Sequence, residues 1–215
     1  MTELCVAFLD MSGFTALTET HGDRSAAQLA VDFVDLTKSL LATGDVLVKS
    51  LGDAVLITSP TVAGALALLR RIIDATHRRA FPLLSAGVAY GPIVAVAGDV
   101  YGVTVNVAAR LAALAAPGQT LASGPVSTAA RLADLRVTRL GPTALRNIAE
   151  PIEVFGIDLD DDCHCGHVDP VCRMRLLPGA AATIRLHEGR RYRFCSEGCL
   201  ERFDMRPERY VGTTP

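Results

Sequence analysis

The chain has 215 residues, half of them hydrophobic and a fifth charged, with seven Phe, four Tyr and no Trp. That is too apolar for a disordered segment and long enough for one ordinary domain with a small appendage. With 21 basic against 23 acidic side chains the net charge is −2, so non-specific binding to nucleic acid or to an acidic membrane has no electrostatic basis.

No cationic stretch opens the chain, so a secretory signal is not expected. Leu4 to Leu9 is a strand-length apolar run closed by Asp10 and Ser12-Gly13. Ser25-Ala26-Ala27-Gln28 has the spacing of a capping box, and the helix it opens carries Leu29, Phe33, Leu36 and Leu40 on one face before Thr43-Gly44 ends it. Val46 to Lys49 and Ala54 to Thr58 form a hairpin about Leu51-Gly52. Ser59-Pro60 reads as an N-cap and first-turn proline for a helix with Val62, Leu66, Leu69 and Ile73 inward. From Ala80 to Gly98 there are 19 uncharged residues, a membrane-span length, but Phe81-Pro82 and Gly91-Pro92 would break such a helix. Two buried strands around a Gly-Pro turn are expected there instead. A helix from about Val103 to Ala115 follows, then a strand at 119–122, a helix at 125–132 and strands near 135–139 and 152–157. With neither a signal nor a spanning helix expected, the protein reads as soluble and cytoplasmic, and helices alternating with mostly antiparallel strands predict an α+β sandwich of ferredoxin-like type.

Cysteine is unevenly spread. Cys5 sits in an apolar run and reads as a core thiol, whereas Cys163, Cys165, Cys172, Cys195 and Cys199 all fall in the last 53 residues. The acidic run Asp158-Leu159-Asp160-Asp161-Asp162 marks a solvated linker between a large first domain and a small Cys-rich module. His21, His77 and His187 stand alone in sequence and read as ordinary surface residues.

Three segments of the first domain carry polar residues that the layout does not need. Asp10 ends the first strand and Gly13-Phe14 begins a helix. Free N–H groups there would take a phosphate while the carboxylate takes a divalent ion, although an N-cap role for Asp10 alone is the simpler assignment. Asp53 lies in the hairpin turn, where Asp beside Gly is usually only a turn residue. If the hairpin flanks the first strand, Asp10 and Asp53 become a pair able to bridge two divalent ions. Asn106 and Arg110 are four apart on one helix and so share a face, which is also what a solvated face would show.

In register, these segments resemble the class III adenylate/guanylate cyclase catalytic domain over about residues 1–158. Phe8-Leu9-Asp10-Met11-Ser12-Gly13-Phe14-Thr15 is similar to its first metal motif, and Lys49-Ser50-Leu51-Gly52-Asp53 to its purine-lysine and second-metal motif. Gly98 to Leu111 resembles its purine-aspartate and transition-state helix, and Leu145-Arg146-Asn147-Ile148 its closing loop. The resemblance implies the ferredoxin-like class III fold and conversion of ATP to 3′,5′-cyclic AMP and pyrophosphate. Asp10 and Asp53 would hold two Mg²⁺ or Mn²⁺ ions, Gly13 and Phe14 would line the substrate's phosphates, Asn106 would orient the ribose, Arg110 would meet charge at the α-phosphate, and Arg146 would grip the terminal phosphates. It further implies head-to-tail homodimers with composite sites. Lys49 and Asp99 would read the base: a lysine donor at N1 and a carboxylate acceptor at the 6-amino group complement adenine, whereas guanine presents the opposite polarity at both positions. One departure is the stretch Val94-Ala95-Val96-Ala97, where many relatives carry an arginine that contacts phosphate.

After a linker at 159–167, residues 168–213 resemble a YHS domain, on Val168-Asp169-Pro170-Val171-Cys172-Arg173-Met174 and Tyr192-Arg193-Phe194-Cys195-Ser196-Glu197-Gly198-Cys199. The resemblance implies a treble-clef-like module with Cys172, Cys195 and Cys199 on one soft or borderline ion such as Cu⁺ or Zn²⁺. Cys163, His164, Cys165 and His167 would complete that site, form a second, or belong to a thiol-rich tail. A disulfide framework is the remaining alternative, disfavoured in the cytosol. Two functions stay open: an adenylate cyclase regulated by metal on the module, and a catalytically weak or inactive cyclase-fold protein acting as a metal sensor or chaperone.

Overall fold

The computed structural model describes residues 2–160, 167–179 and 182–211. The first domain contains β1 (Thr2–Met11), α1 (Phe14–His21), α2 (Asp23–Leu40), β2 (Val46–Leu51), β3 (Ala54–Ser59), α3 (Val62–Arg78), β4 (Leu84–Val96), β5 (Asp99–Tyr101), α4 (Val103–Leu114), β6 (Thr120–Ser123), α5 (Gly124–Leu132), β7 (Val137–Thr143) and β8 (Ile152–Ile157). The main sheet runs β2-β3-β1-β4-β6-β8-β7, with β5 folded back on the end of β4, and its pairings are antiparallel except β4 with β6. This is the α+β fold expected.

Alternation along the strands divides the core into two layers. Cys5, Ala7, Leu9 and Met11 of β1 face α2, α3 and α5, packing with Phe33, Leu36, Leu69, Ile72 and Val126. Val6, with Leu4 and Phe8 packed beside it, faces the other way onto Val105, Val107, Ala108 and Leu111 of α4. The sheet is therefore covered on both faces. Cys5 is the core thiol expected, and burial pushes it up to about 12.

Several boundaries differ from the sequence reading. α2 starts at Asp23, with Gly22 at its N-cap and no side-chain cap, so Ser25 lies inside the first turn. Asp23 there faces the positive end of the helix dipole, which removes the need for the capping box. The same helix stops at Leu40, where Leu41 turns extended. The cap of α3 is Thr61, accepting from the Gly64 N–H at 3.0 Å, and Pro60 precedes it. Residues 84–96 form one continuous strand, and Gly91-Pro92 is not a turn. Pro92 lies opposite Glu3 of β1, and because β6 pairs with β4 only at 86–88 the β6 edge carries no ladder at Pro92. The Pro92 carbonyl accepts from Thr104 Oγ1 at 2.8 Å.

The C-terminal module comprises β9 (His167–Val168), β10 (Arg175–Leu176), β11 (Thr183–His187), β12 (Arg190–Phe194) and α6 (Glu197–Met205), with two small antiparallel hairpins. The acidic linker is less solvated than its composition implied. Leu159 is buried, and Asp160 lies 3.6 Å from His77 Nδ1 and 3.5 Å from Arg175. Asp161 and Asp162 lie outside the described residues. No described helix is long and apolar enough to cross a membrane.

Candidate active site and metal centre

Asp10 and Asp53 meet because β1 pairs with β3 in a register that sets Asp10 opposite Ala54, one residue past the hairpin turn. The Met11 N–H donates to the Asp53 carbonyl at 3.4 Å, and the Ser12 N–H to the Leu83 carbonyl at 2.8 Å. Burial, and then the adjacent Asp53 charge, push the Asp10 carboxyl up to about 6. Asp53 is also raised, chiefly by burial. Two touching carboxylates short of solvent are stabilised by a cation. They line an open cavity of about 270 Å³ with Gly13, Phe14, Ser85 and Ala112. Gly13, at φ 77°, caps α1 without a side-chain bond, and that first turn holds no acidic residue. Its free N–H groups thus offer an anion site beside the carboxylates.

Lys49 and Asp99 form a second cluster. A bulge between Leu47 and Lys49 shifts the β2 register, and Lys49 Nζ donates to Asp99 Oδ2 at 2.6 Å. Asp99 also accepts from the Val100 N–H at 2.8 Å, and these bonds, Lys49 first, hold its carboxyl below the usual range. Asn106 is exposed and Arg110 half-buried on α4; Arg146 is exposed just after buried Leu145. None of Lys49, Asp99, Asn106, Arg110 and Arg146 lines the cavity at Asp10 and Asp53. Another cavity, of about 530 Å³ between Ile73, Gly118, Arg136 and Arg175, is larger but is lined by none of the candidate catalytic, substrate-binding or metal-ligating residues.

In the module, Cys172 follows β9, Cys195 ends the β12 hairpin and Cys199 lies in the first turn of α6, whose N-cap Ser196 accepts from the Cys199 N–H at 3.2 Å. Cys172 and Cys195 sulfurs lie 3.4 Å apart, Cys195 and Cys199 3.7 Å apart, and every described cysteine is free. Within the trio Cys199 sits low as the acceptor from the two other thiols, while Cys172 is pushed up by the sulfurs around it. Two residues the sequence reading missed belong here. His21 Nε2 lies 3.3 Å from Cys195 Sγ, so it is no ordinary surface residue. Asp169, fully buried, accepts from the Val171, Cys172 and Cys195 N–H groups and so holds both cysteine loops. No spacing rule in the sequence signals His21; Asp169 at least stood in a recognised segment. His77 and His187 also depart from expectation. His77 is buried against Arg175, 2.6 Å away, and His187 packs edge-on against the Phe203 ring at 5.6 Å. His167 is exposed on β9 and not among the clustered donors, while Cys163, His164 and Cys165 lie outside the described residues.

Residues 1–158 match the family of adenylate and guanylate cyclase catalytic domains, and residues 167–214 the YHS domain. The chain belongs to the class III cyclase family, with a YHS domain following the catalytic domain. It is 34% identical over 180 residues to an uncharacterized protein of Mycobacterium tuberculosis, covering 83% of this chain and 45% of that one. It is also 34% identical over 160 residues to a pH-sensitive adenylate cyclase of the same species, covering 72% and 40%. The chain thus spans less than half the length of these relatives. Among solved structures it resembles an adenylate/guanylate cyclase/hydrolase from Silicibacter pomeroyi, at 29% identity and a TM-score of 0.64 over 73% of this chain and 97% of that one. The adenylyl cyclase CyaB of P. aeruginosa shares the fold at 19% identity, with a TM-score of 0.61 over 75% and 95%.

Proposed function

We propose that the protein is an adenylate cyclase, converting ATP to 3′,5′-cyclic AMP and pyrophosphate at sites shared between two copies of the chain. The observation that carries the reading is the separation of its polar residues into two half-sites: the Asp10–Asp53 cavity, and the Lys49–Asp99 pair with the exposed face of α4. Neither half holds all the groups the reaction needs. A second copy is also favoured by apolar surface around the second half. Val96, Tyr101, Val103 and Leu114 are each more than half exposed, flanking Asp99, Asn106 and Arg110. Relatives named adenylate cyclase support the choice of reaction.

Asp10 and Asp53 suit two Mg²⁺ or Mn²⁺ ions, which when bound would make the 3′-hydroxyl more acidic and screen the phosphates. The Gly13-Phe14 turn would orient the phosphate chain. From the other copy, Lys49 and Asp99 would open their ion pair onto the adenine edge, Asn106 would hold the ribose, and Arg110 would meet charge developing at the α-phosphate. Arg146 would hold the terminal phosphates. The YHS module would bind a soft or borderline metal and bias turnover by docking on the catalytic domain.

Complementation tests the shared site. Asp10→Ala and Arg110→Ala should each be nearly inactive with ATP and with GTP. A mixture of the two should recover ATP turnover through one intact composite site per heterodimer. No recovery in a mixture shown to exchange subunits would rule the shared site out, and equal wild-type use of GTP would rule out the assignment of Lys49 and Asp99 to adenine.

A further inference from the structure

Leu17 of α1 and Ala26 of α2 pack in one buried cluster with Cys172, Phe194, Cys199 and Phe203, so the module borrows part of its interior from the catalytic domain. His21, the last residue of α1, points into the same place. Its Nε2 is 3.3 Å from Cys195 Sγ and 3.7 Å from Cys199 Sγ, and the ligand atoms of His21, Cys172, Cys195 and Cys199 all lie within 4.8 Å of one another. A tetrahedral zinc with bonds of about 2.3 Å to sulfur and about 2.0 Å to nitrogen has S–S edges of about 3.8 Å and S–N edges of about 3.5 Å. The S–S separations of 3.4 and 3.7 Å and the S–N separations of 3.3 and 3.7 Å lie at those edges.

We propose that His21 of the catalytic domain is the fourth ligand of a closed Cys₃His site for a borderline divalent ion of the zinc type, so that the metal fastens the module to α1. The proposal rests on the reading that the module binds metal, and extends it by taking one ligand from outside the module. The donor set favours a four-coordinate ion that accepts imidazole with thiolate, over a Cu⁺ ion held by sulfur alone. Close packing keeps the two domains in register at this point. A Cβ on Gly198 would lie 3.3 Å from the Thr20 carbonyl, and Thr20 Oγ1 lies 3.6 Å from Cys199 Sγ. The other end of α1 is the Gly13-Phe14 turn of the candidate active site. A Cβ on Gly13 would stand 2.8 Å from Arg173 Cγ and 3.2 Å from the Cys172 carbonyl. Through Cys172 and His21, the metal would hold the eight-residue helix α1 at both ends.

The test uses the metal-free full-length chain titrated with Co²⁺, whose visible spectrum reports coordination number and thiolate count, with Zn²⁺ competition for affinity. Wild type should take one ion per chain in a four-coordinate, three-thiolate site. His21→Ala should bind at least about 100-fold more weakly, since loss of a mere outer-shell partner already costs 10- to 100-fold. Its far-UV circular dichroism should match that of wild type, separating ligand loss from unfolding. His21→Cys should restore four-coordination with one more thiolate in the spectrum. Unchanged affinity and spectrum in His21→Ala would overturn the fourth-ligand assignment while leaving metal binding by the module intact. Absence of Co²⁺ and Zn²⁺ binding in wild type, or full binding in a Cys172→Ser, Cys195→Ser double variant, would overturn both.

Discussion

At the scale of single residues, the most informative feature is the raised pKa of Asp10. Its folded-state value of about 6 lies above that of a carboxyl in the unfolded chain, because burial and Asp53 disfavour its charge. The metal-free fold is therefore favoured by this group while it is protonated, and that contribution is lost as pH rises through about 6. Relative to Asp10→Asn, the thermal midpoint of metal-free wild type should fall between about pH 4 and about pH 6, the range set by that shift, and stay level above it. Mn²⁺ should reverse the fall at about pH 7 and do little at about pH 5, where protons compete for the same oxygens. A midpoint difference that stays flat with pH and Mn²⁺ would show that the carboxylates do not act as a pair. Asp10 and Asp53 were legible as a conditional pair because strand register is local: once β1 and β3 are neighbours, their meeting follows. His21 was not legible, because its partners are 151 to 178 positions away and only packing of α1 on α6 brings them together.

At the scale of elements, α4 shows how closely the placement of Asn106 and Arg110 depends on one glycine in β4. A Cβ on Gly87 would lie 2.1 Å from the Ala112 nitrogen and 2.2 Å from the Ala108 carbonyl, backbone atoms that cannot rotate away. A sheet glycine under a helix marks such a close approach. Gly87→Ala should lift α4 off the sheet, costing about 3 kcal/mol or more, at or above the upper end for overpacking. Turnover should fall with it, because Asn106 and Arg110 move with the helix. Gly156→Ala on β8 is the control: nothing lies closer than 4.0 Å to its Cβ position, so melting temperature and activity should stay near wild type. A Gly87→Ala protein as stable and active as that control would mean α4 tolerates the shift. The α4 helix itself was readable from Val107 and Leu111, both buried, whereas Leu114, expected on the same buried stripe, is half exposed near the helix end. That β4 is one strand was not, because Gly91-Pro92 carries a turn signature locally. What decides is tertiary: β1 pairs with β4 straight through Gly91-Pro92, and the Thr104 hydroxyl bonds the Pro92 carbonyl.

At the scale of the whole molecule, the two domains share an interior rather than a linker alone. Leu17 and Ala26 are buried by the module, and the module's largest buried side chains, Phe194 and Phe203, lie in that same cluster. Phe203 is ringed by Tyr192, Phe194 and Tyr210, with centroids 4.9, 5.2 and 6.1 Å away. A module with so little apolar material of its own is held by the shared cluster and by any metal it binds. Truncating Phe203 to Ala should cost about 3–5 kcal/mol, the usual range for emptying a buried aromatic site. Because Leu17 sits midway along α1, part of that loss should reach the Gly13-Phe14 turn. Phe203→Ala should therefore lower cyclase turnover although Phe203 does not line the Asp10–Asp53 cavity. Leu132→Ala, at a position 84% exposed, should change neither quantity. Calorimetry with a parallel turnover assay decides the matter. A single cooperative transition shifted downward, with reduced turnover, is the outcome expected of a shared core. If Phe203→Ala instead melts the module in a separate early transition and turnover at lower temperature stays at the wild-type level, the two domains are energetically independent and the module cannot regulate catalysis through α1.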